Sequence, residues 1–285
     1  MHDAPAYDRP PLRVERAAMV EVSSFLEPAR TADEKLIADF AREWGKFDRF
    51  NSQDLERIGV DLFDLLPSLK DGCKMIDIGC GGGRWSRLLS RRVAHIDAVD
   101  PSDAILTAAS VNSHLGNIRW SRARGEDLPF GKGSFDLAIC IGVLHHMKDP
   151  ELLLQEAQRL LKTGGKFYFY IYYALNDRGV LFRSLYRLSD RVRRWIHPLP
   201  YQVKYGLTQF IAVTIYLPLV SLARMARIIG VKGWERIPLS FYHDKSFRIM
   251  RNDALDRFGT SVERRYTREQ IQNMLLGAGF GNVQF

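Results

Sequence analysis

The chain has 285 residues, 46% of them hydrophobic, with 41 Lys+Arg against 33 Asp+Glu. This composition is typical of a globular protein and excludes the fibrous, collagen-like and disordered classes. Three cysteines without a CxxC pair cannot form a disulfide framework or a four-cysteine zinc site, so we expect a reducing, cytoplasmic location. The N-terminal sequence MHDAPAYDRPPLR has no apolar run, and we therefore expect no secretory signal.

The net charge of +8 lies in one part of the chain. Residues 174–245 contain 12 Lys+Arg and 4 Asp+Glu, and all other residues together contain 29 of each. The excess of positive charge therefore belongs to one segment, and the remainder of the chain is neutral.

The first 70 residues show no strand pattern. Residues 1–30 contain proline and little periodicity, and we expect a mobile N-terminal arm. Over residues 31–70 apolar positions recur at helical spacing, which predicts two helices broken near Asn51. Trp44 and Phe47 in the first of them are either part of a lid over a ligand or part of the core.

From Lys74 onward, short apolar runs alternate with longer amphipathic runs, which is typical of a parallel sheet with helices on both faces. The predicted strands cover residues 74–78, 94–100, 117–121, 135–141 and 166–173. The predicted helices cover residues 84–92, 102–114, 150–162 and 268–278. In this architecture ligands bind at the carboxyl ends of the strands, and residues 71–173 form the predicted binding core.

Residues 174–245 interrupt the alternation and are predicted to form a helical insertion after the fifth strand. The segment begins with basic, helix-compatible sequence from Arg178 to Trp195 and turns at 197–200. It continues as the apolar stretch Leu207–Ile229.

Residues 246–285 are predicted to return to the core. Thr267 and Gln270 have the spacing of a capping box at the start of the last helix, and Gly279 marks its end. The residues from Asn282 resemble the start of a strand.

A glycine-rich loop, Gly79–Gly83, joins the first predicted strand to the first helix of the core. Glycines let the backbone turn tightly and approach a ligand, and the amino end of a helix offers free N–H groups to a negative group. Asp100 ends the next strand, 21 residues after Gly79, where a carboxylate can accept both hydroxyls of a ribose. This arrangement predicts a pocket for a nucleoside-type cofactor.

The spacing of the glycines separates two classes of cofactor. A GxGxxG dinucleotide fingerprint that begins at Gly79 needs a third glycine at the position of Arg84. The pattern from Asp77 to Gly83 is DxGxGxG, which resembles motif I of class I S-adenosylmethionine (SAM) dependent methyltransferases. The resemblance implies a doubly wound Rossmann-like α/β fold, SAM as cofactor and Asp100 as the ribose ligand. A dehydrogenase is the alternative enzyme with this type of loop.

Further matches to this family follow in the same order along the chain. Residues 125–130 resemble its adenine-side loop, 142–146 the loop after its fourth strand, and 160–165 the turn before its fifth. The position of an adenine-binding acid carries Arg124, so we expect Glu126 or a main-chain carbonyl to replace it. The cofactor-binding residues that the resemblance implies are Asp77, Gly79, Cys80, Gly81, Gly83, Asp100, Pro101, Gly125, Glu126 and Ile141.

Two side chains near the ends of predicted strands are candidates for catalysis. An ordinary histidine pKa near 6.5 suits His145 as a general base that removes a proton from a substrate hydroxyl. The alternative is that one residue of the pair His145-His146 packs beside the cofactor and the other faces solvent. Tyr172 ends the fifth strand and is expected at the same edge of the sheet. Neither histidine has Cys or carboxylate partners in the nearby sequence, so we predict no metal site.

The basic, apolar insertion has three candidate roles. Its uncharged stretch Thr208–Ala223 is shorter than the ~20 residues of a bilayer span, and Pro218 interrupts it. It can form a buried cap over the substrate site, or it can make peripheral membrane contact through residues 178–236, with its apolar face on anionic lipid. RNA binding is the third role, although the segment contains no recognisable RNA module.

The branch of the family that the chain resembles, the type 11-like methyltransferases, acts on small molecules that include quinone precursors and sugars. We therefore expect direct in-line methyl transfer to a small or amphiphilic acceptor: a specialised metabolite, a sugar, a lipid-linked sugar or a quinone-like compound. Positioning and exclusion of water would be the main contributions of such an enzyme. The alternatives are a non-catalytic adaptor with the SAM fold that binds RNA or a membrane, and an RNA methyltransferase. The absence of Pro-Cys and Asn/Asp-Pro-Pro-Tyr motifs argues against nucleic acid as the acceptor. The expected location is the cytoplasm, with possible contact to the inner face of the membrane.

Overall fold

The computed structural model describes residues 4–26, 72–177 and 179–285. The described residues form two compact units. Residues 179–261 form the second unit, and the described residues before 178 and after 261 form the first. The helical lid predicted over 31–70 lies outside the described residues.

A seven-stranded sheet forms the first unit. Its strands are β1 (Arg13–Ala17), β2 (Val20–Ser24), β3 (Lys74–Ile78), β4 (His95–Val99), β5 (Ile118–Arg122), β6 (Phe135–Ile141) and β7 (Leu161–Tyr170). The strand order is β1-β2-β5-β4-β3-β6-β7, and every neighbouring pair is parallel except β1 with β2. The predicted doubly wound, Rossmann-like and mostly parallel sheet is confirmed.

Helices connect the strands of this sheet and build the second unit. They are α1 (Arg84–Leu89), α2 (Ala104–Val111), α3 (Pro150–Leu160), α4 (Val180–Ile196), α5 (Tyr201–Ile211), α6 (Leu217–Ile228), α7 (Phe247–Gly259) and α8 (Arg268–Gly277). A π-helical turn, Ala212–Tyr216, joins α5 to α6 without a break. Helices α4 to α7 belong to the second unit, and α8 returns to the first.

The centre of the sheet is apolar on both faces. All five residues of β4 are buried, as expected for a strand covered on both sides. Ile76 and Ile78 of β3 share one core with Phe135 of β6, Leu153 of α3 and Ile271 of α8. This core fixes the carboxyl ends of β3, β4 and β6 at one edge of the sheet.

The order of the strands reverses beside β3. The chain leaves β3 through α1 toward β4 on one side, and its other neighbour, β6, is reached only after β5. The loops that follow β3 and β6 therefore diverge, and ligands of open α/β sheets bind in the crevice that results.

The prediction of a mobile arm at the N-terminus is wrong for residues 13–24. They form the β1–β2 hairpin, and β2 adds to the sheet in parallel beside β5. The turn of the hairpin contains Ala18 at a φ of 56°, where glycine or asparagine is usual. The sequence therefore lacks the turn signal that identifies most hairpins.

Two strand predictions also differ at the carboxyl side of the sheet. β7 begins at Leu161, five residues before the predicted start. The residues that were predicted as a turn belong to the strand and form an irregular bulge between the pair Phe135–Leu161 and the pair Leu137–Lys166. The strand predicted from Asn282 does not form, since residues 280–285 have no regular structure. The capping box of α8 is confirmed: Gln270 N donates to Thr267 Oγ1 at 3.1 Å, and Thr267 N donates to Gln270 Oε1 at 2.8 Å.

The second unit has its own apolar core. Ile196, Ile211, Tyr216, Met250 and Phe258 bring α4, α5, the π-helical turn and α7 together. Because α7 contributes to this core, the insertion extends to residue 261, beyond the predicted boundary at 245.

Candidate functional site

The glycine loop predicted from the sequence turns sharply at the carboxyl end of β3. The N–H of Gly79 donates to Val99 O at 2.8 Å and ties the loop to the end of β4. The loop glycines with positive φ are Gly79 (75°), Gly81 (52°) and Gly83 (71°). A Cβ on Gly83 would lie 2.7 Å from Trp120 Cη2, closer than carbon atoms approach. Both the backbone conformation and the packing therefore require glycine.

Asp100 lies at the end of β4 and binds the same loop. Its Oδ2 accepts from Gly81 N at 2.9 Å, and its Oδ1 accepts from Ser102 N at 2.9 Å and Ser102 Oγ at 2.6 Å. Burial raises the pKa of Asp100, although these hydrogen bonds oppose the shift. A carboxylate oxygen has two acceptor positions, so Oδ2 retains one for a further hydroxyl. This free acceptor position suits one hydroxyl of a ribose.

Asp77 lies inside the site, three residues before Cys80. Its Oδ2 accepts from Ser86 Oγ at 2.6 Å, which fixes α1 against the end of β3. Burial raises the pKa of Asp77 to about 7, with the charge of Asp100 adding to the effect and Ser86 opposing it. Burial also raises the pKa of the Cys80 thiol well above its ordinary value, which disfavours the reactive thiolate form.

The loop after β5 carries the predicted adenine-side residues. A Cβ on Gly125 would lie 2.6 Å from Leu153 Cδ1, so glycine is required where the loop passes α3. Glu126 Oε1 lies 3.9 Å from Arg124 Nη1, and both side chains are partly exposed. Arg124, which occupies the position of the family's adenine-binding acid, is therefore paired with Glu126, the residue predicted to replace that acid.

Side chains from two other parts of the chain, α3 and the N-terminal segment, contact this loop and the end of β5. The sequence did not indicate these contacts. From α3, Glu156 Oε1 accepts from Leu128 N at 3.0 Å. From the N-terminal segment, Arg9 Nη1 donates to Asp127 Oδ1 at 2.9 Å, and the Tyr7 hydroxyl lies 2.7 Å from Ser121 Oγ. Long-range contacts of this kind leave no periodic signal in the sequence.

His145 is buried in the loop that follows β6. Its ring stacks on Tyr172 with centroids 3.8 Å apart and lies 4.1 Å from the ring of His146. Among the residues that the structure describes, its buried Nδ1 has no hydrogen-bond partner. Burial, aided by His146 and Arg265, lowers the pKa of His145 to about 2, so the ring is neutral at physiological pH. The structure thus brings both predicted catalytic residues into contact.

The short segment before α8 completes the surroundings of the two histidines. Val262 O lies 2.6 Å from His146 Nδ1, and Arg264 N donates to His145 O at 2.9 Å. The Arg265 guanidinium lies 5.0 Å from the ring centroid of Tyr172. The alternative in which one histidine faces solvent is wrong, because both rings are buried.

The remaining predicted residues lie at the same edge of the sheet. Ile141 is the last residue of β6 and pairs with Tyr170 of β7. Pro101 follows Asp100, and its carbonyl accepts from Arg122 Nε at 3.2 Å. A parallel sheet with a glycine loop and a buried acid at its switch point defines a Rossmann-like domain for a nucleoside cofactor.

Comparison with known proteins identifies this domain. Residues 76–169 match the family model described as "Methyltransferase domain". The match begins in β3 and ends in β7, so it contains the glycine loop, Asp100 and His145. This part of the chain is therefore similar to a methyltransferase domain.

Several characterised proteins are similar to parts of the chain. The ubiquinone biosynthesis O-methyltransferase of Neisseria meningitidis serogroup C (strain 053442) is 30% identical over 147 residues, which is 48% of this chain and 61% of that protein. The protein of the same name from Pseudomonas aeruginosa (strain UCBPP-PA14) is 28% identical over 134 residues, which is 45% of this chain and 56% of that protein. The bifunctional biotin biosynthesis protein BioHC of Cellvibrio japonicus (strain Ueda107) is 32% identical over 231 residues, which is 80% of this chain and 43% of that protein. The chain therefore spans about half the length of these relatives.

Proposed function

We propose that the protein is an active SAM-dependent methyltransferase whose acceptor is a small, quinone-like molecule. The observation that carries the proposal is the contact between the glycine loop and Asp100, in which Gly81 N and Ser102 orient a buried carboxylate. The family match over residues 76–169 supports methyl transfer as the reaction. The similarity to two ubiquinone biosynthesis O-methyltransferases supports the acceptor class.

The residues of the loop would hold the cofactor in defined roles. Asp100 would accept one hydroxyl of the ribose through the free position of Oδ2. The backbone from Gly79 to Gly83 would pass close to the methionine part, because glycine leaves this surface without side chains. The chemistry that the cofactor supplies is an electrophilic methyl group on a sulfonium.

His145 and Tyr172 would act on the acceptor. A neutral imidazole can accept a hydrogen bond from an acceptor hydroxyl without first losing a proton. With a pKa of about 2, His145 holds a proton too weakly to store it. His145 would therefore orient and polarise the hydroxyl, with the Tyr172 ring fixing the plane of the imidazole.

Calorimetry with SAM tests the cofactor site. We expect Asp100→Asn to weaken SAM binding by roughly 10- to 100-fold, because it removes hydrogen bonds to a charged group worth about 1.5–3 kcal/mol. Asp103→Asn is the matched control, since its exposed carboxylate pairs with Arg122 Nη2 at 2.7 Å and does not contact the glycine loop among the described residues. Binding of NADH in place of SAM, or equal SAM affinity in both variants, would contradict the proposal.

Transfer of a radiolabelled methyl group from SAM into a cell extract tests the acceptor. The labelled products are separated into lipid-soluble small molecules, water-soluble small molecules and RNA. Label in the lipid-soluble fraction supports a quinone-like acceptor, and label confined to RNA contradicts it. At a SAM concentration below the Kd of the unchanged protein, the Asp100→Asn protein should label the same fraction much more weakly.

A further inference from the structure

The long helix of the second unit has an unusual surface. Helix α5, the π-helical turn and α6 run without interruption over the 28 residues from Tyr201 to Ile228. This stretch is long and apolar enough, by length and composition alone, to cross a membrane. Core helices of other proteins pass the same test, so the direction in which its side chains point must decide what the helix does.

Two of the three cations of this helix, Lys204 and Arg224, point inward, and the third, Arg227, is exposed close to its end. Lys204 is only 3% exposed, and its Nζ donates to Gly259 O at 3.2 Å. Arg224 donates from Nε to His243 O at 2.6 Å and from Nη2 to Lys245 O at 2.8 Å. Both charges are therefore satisfied inside the unit, by main-chain carbonyls.

The opposite side of the helix, which we call the outer face, is apolar. It exposes Val203, Leu207, Phe210, Val213, Leu222 and Met225, with Phe210 65% and Met225 62% exposed. Among residues 202–226, all of them described, no charged residue is exposed. Water-soluble monomers seldom expose a continuous apolar surface of this length, so the outer face is built to meet another apolar phase.

A membrane-spanning orientation does not fit the packing of the same helix. The side opposite the outer face packs on α7, where Tyr216 donates to Asp253 Oδ2 at 2.9 Å and Gln209 binds Arg251. Hydrocarbon around the whole helix would also surround these ionisable groups, at a high free-energy cost. The helix can therefore bury its outer face only while its other side stays in a polar environment.

Helix α4 adds positive charge next to a second apolar stripe. Leu185, Leu188 and Trp195 are exposed at helical spacing, with Trp195 82% exposed. The exposed arginines Arg187 and Arg191 lie on the adjoining face of α4. An apolar stripe bordered by arginines, with tryptophan at its end, is the pattern of helices that lie in the plane of an anionic membrane surface.

We propose that the second unit docks on an anionic lipid surface, with the outer face of α5 and α6 inserted among the acyl chains and the arginines of α4 near the headgroups. This explains why the apolar residues point outward while Lys204 and Arg224 point inward. It also gives the net charge of +8 a partner of opposite sign.

Vesicle flotation of the full-length chain tests this proposal without SAM or acceptor, so the result is independent of methyl transfer. The probes are phosphatidylcholine vesicles with and without phosphatidylglycerol. We expect Phe210→Glu and Met225→Glu each to lower the partition coefficient at least about tenfold, because each removes an apolar side chain that would insert among the acyl chains and adds a charge. We expect omission of phosphatidylglycerol to weaken binding about fivefold for each basic residue near the surface.

Matched controls come from the first unit, where Met19 is 93% and Leu152 50% exposed. Met19→Glu and Leu152→Glu should float like the unchanged protein. Failure of the unchanged protein to float, or equal losses in both sets of variants, would overturn the proposal. Self-association that Phe210→Glu abolishes, without any vesicle binding, would assign the outer face to a second copy of the chain and overturn it as well.

Discussion

The buried ionisable residues of the cofactor site affect stability in opposite directions. The pKa of Asp77, about 7, lies above its ordinary 3.8, so its contribution is full below pH 3.8 and is lost as the pH rises to about 7. The pKa of His145, about 2, lies below its ordinary 6.5, so its contribution is full above pH 6.5 and is lost as the pH falls. Between these limits the two effects partly cancel. The pH dependence of the free energy of unfolding of the unchanged protein therefore does not separate the two residues. Single variants of each residue are needed for that purpose.

Replacement of His145 by glutamine separates hydrogen bonding from proton storage. Because the neutral ring acts by orienting the acceptor, we expect His145→Gln to lower kcat roughly 10- to 100-fold with the Kd for SAM unchanged. The kcat of the unchanged protein divided by the kcat of His145→Gln should stay constant from about pH 5.5 to 8, since His145 does not titrate in this range. Steady-state kinetics with the acceptor found in the extract experiment provides the measurement.

His114→Gln is the control for this prediction, because His114 is exposed on the surface of the first unit. Its kcat should equal that of the unchanged protein. A ratio that falls as the pH decreases below about 6.5 would show that His145 gains a proton in that range and acts as a general base after all.

Residues of the proposed cofactor site differed in how well their placement was predicted from the sequence. Gly79, Asp77 and Asp100 were predicted because their spacing is local and their geometry follows from one strand-loop-helix unit. The burial of His145 was not predicted, since it depends on Tyr172, which follows β7 and lies outside the strand, and on Arg264 from beyond the second unit. Such contacts form only after the sheet has assembled.

At the level of elements, the accuracy of prediction follows the strength of local signals. The bounds of β3 and β6 agree with the prediction because each is an apolar run between clear turn residues. The β1–β2 hairpin was missed because Ala18 occupies a left-handed position without the usual residue type. A hairpin with an unfavourable turn residue also leads to a test.

Substitution of the turn residue should stabilise the hairpin. An L-residue at positive φ costs about 1–2 kcal/mol, and glycine avoids this cost while losing some chain entropy. We expect Ala18→Gly to increase the free energy of unfolding by about 0.5–1 kcal/mol, measured by hydrogen exchange of the β2 amides in the folded protein. Ala17→Gly is the control: Ala17 is buried in β1 opposite Val20, and its replacement should destabilise the strand by about 1 kcal/mol. A loss of stability in Ala18→Gly would mean that the turn is not left-handed in solution.

At the level of the whole molecule, the sheet unit, which we propose binds the cofactor, is joined to a basic unit with a separate core. The sequence located the charge and the apolar stretch correctly. It could not show that Lys204 and Arg224 point inward, because a helix that is apolar on most sides has no polarity that reveals its buried face. The carbonyls that receive these cations come from residues 243–259, so the orientation depends on α7 and the loop before it. The role of this unit as a cap over the substrate site stays a prediction.

The separate core of the second unit can be tested by replacing two methionines, one buried and one exposed. Met250 is 0% exposed and packs in that core with Ile211 and Phe258, whereas Met225 is 62% exposed on the outer face. We expect Met250→Ala to cost about 2–5 kcal/mol of local stability, because the vacated volume cannot be refilled completely. Hydrogen-exchange protection of amides in α5 and α7 should then fall roughly 30-fold or more. Met225→Ala should leave this protection unchanged in the absence of lipid, and equal effects of the two substitutions would show that α5 and α7 do not share a packed core.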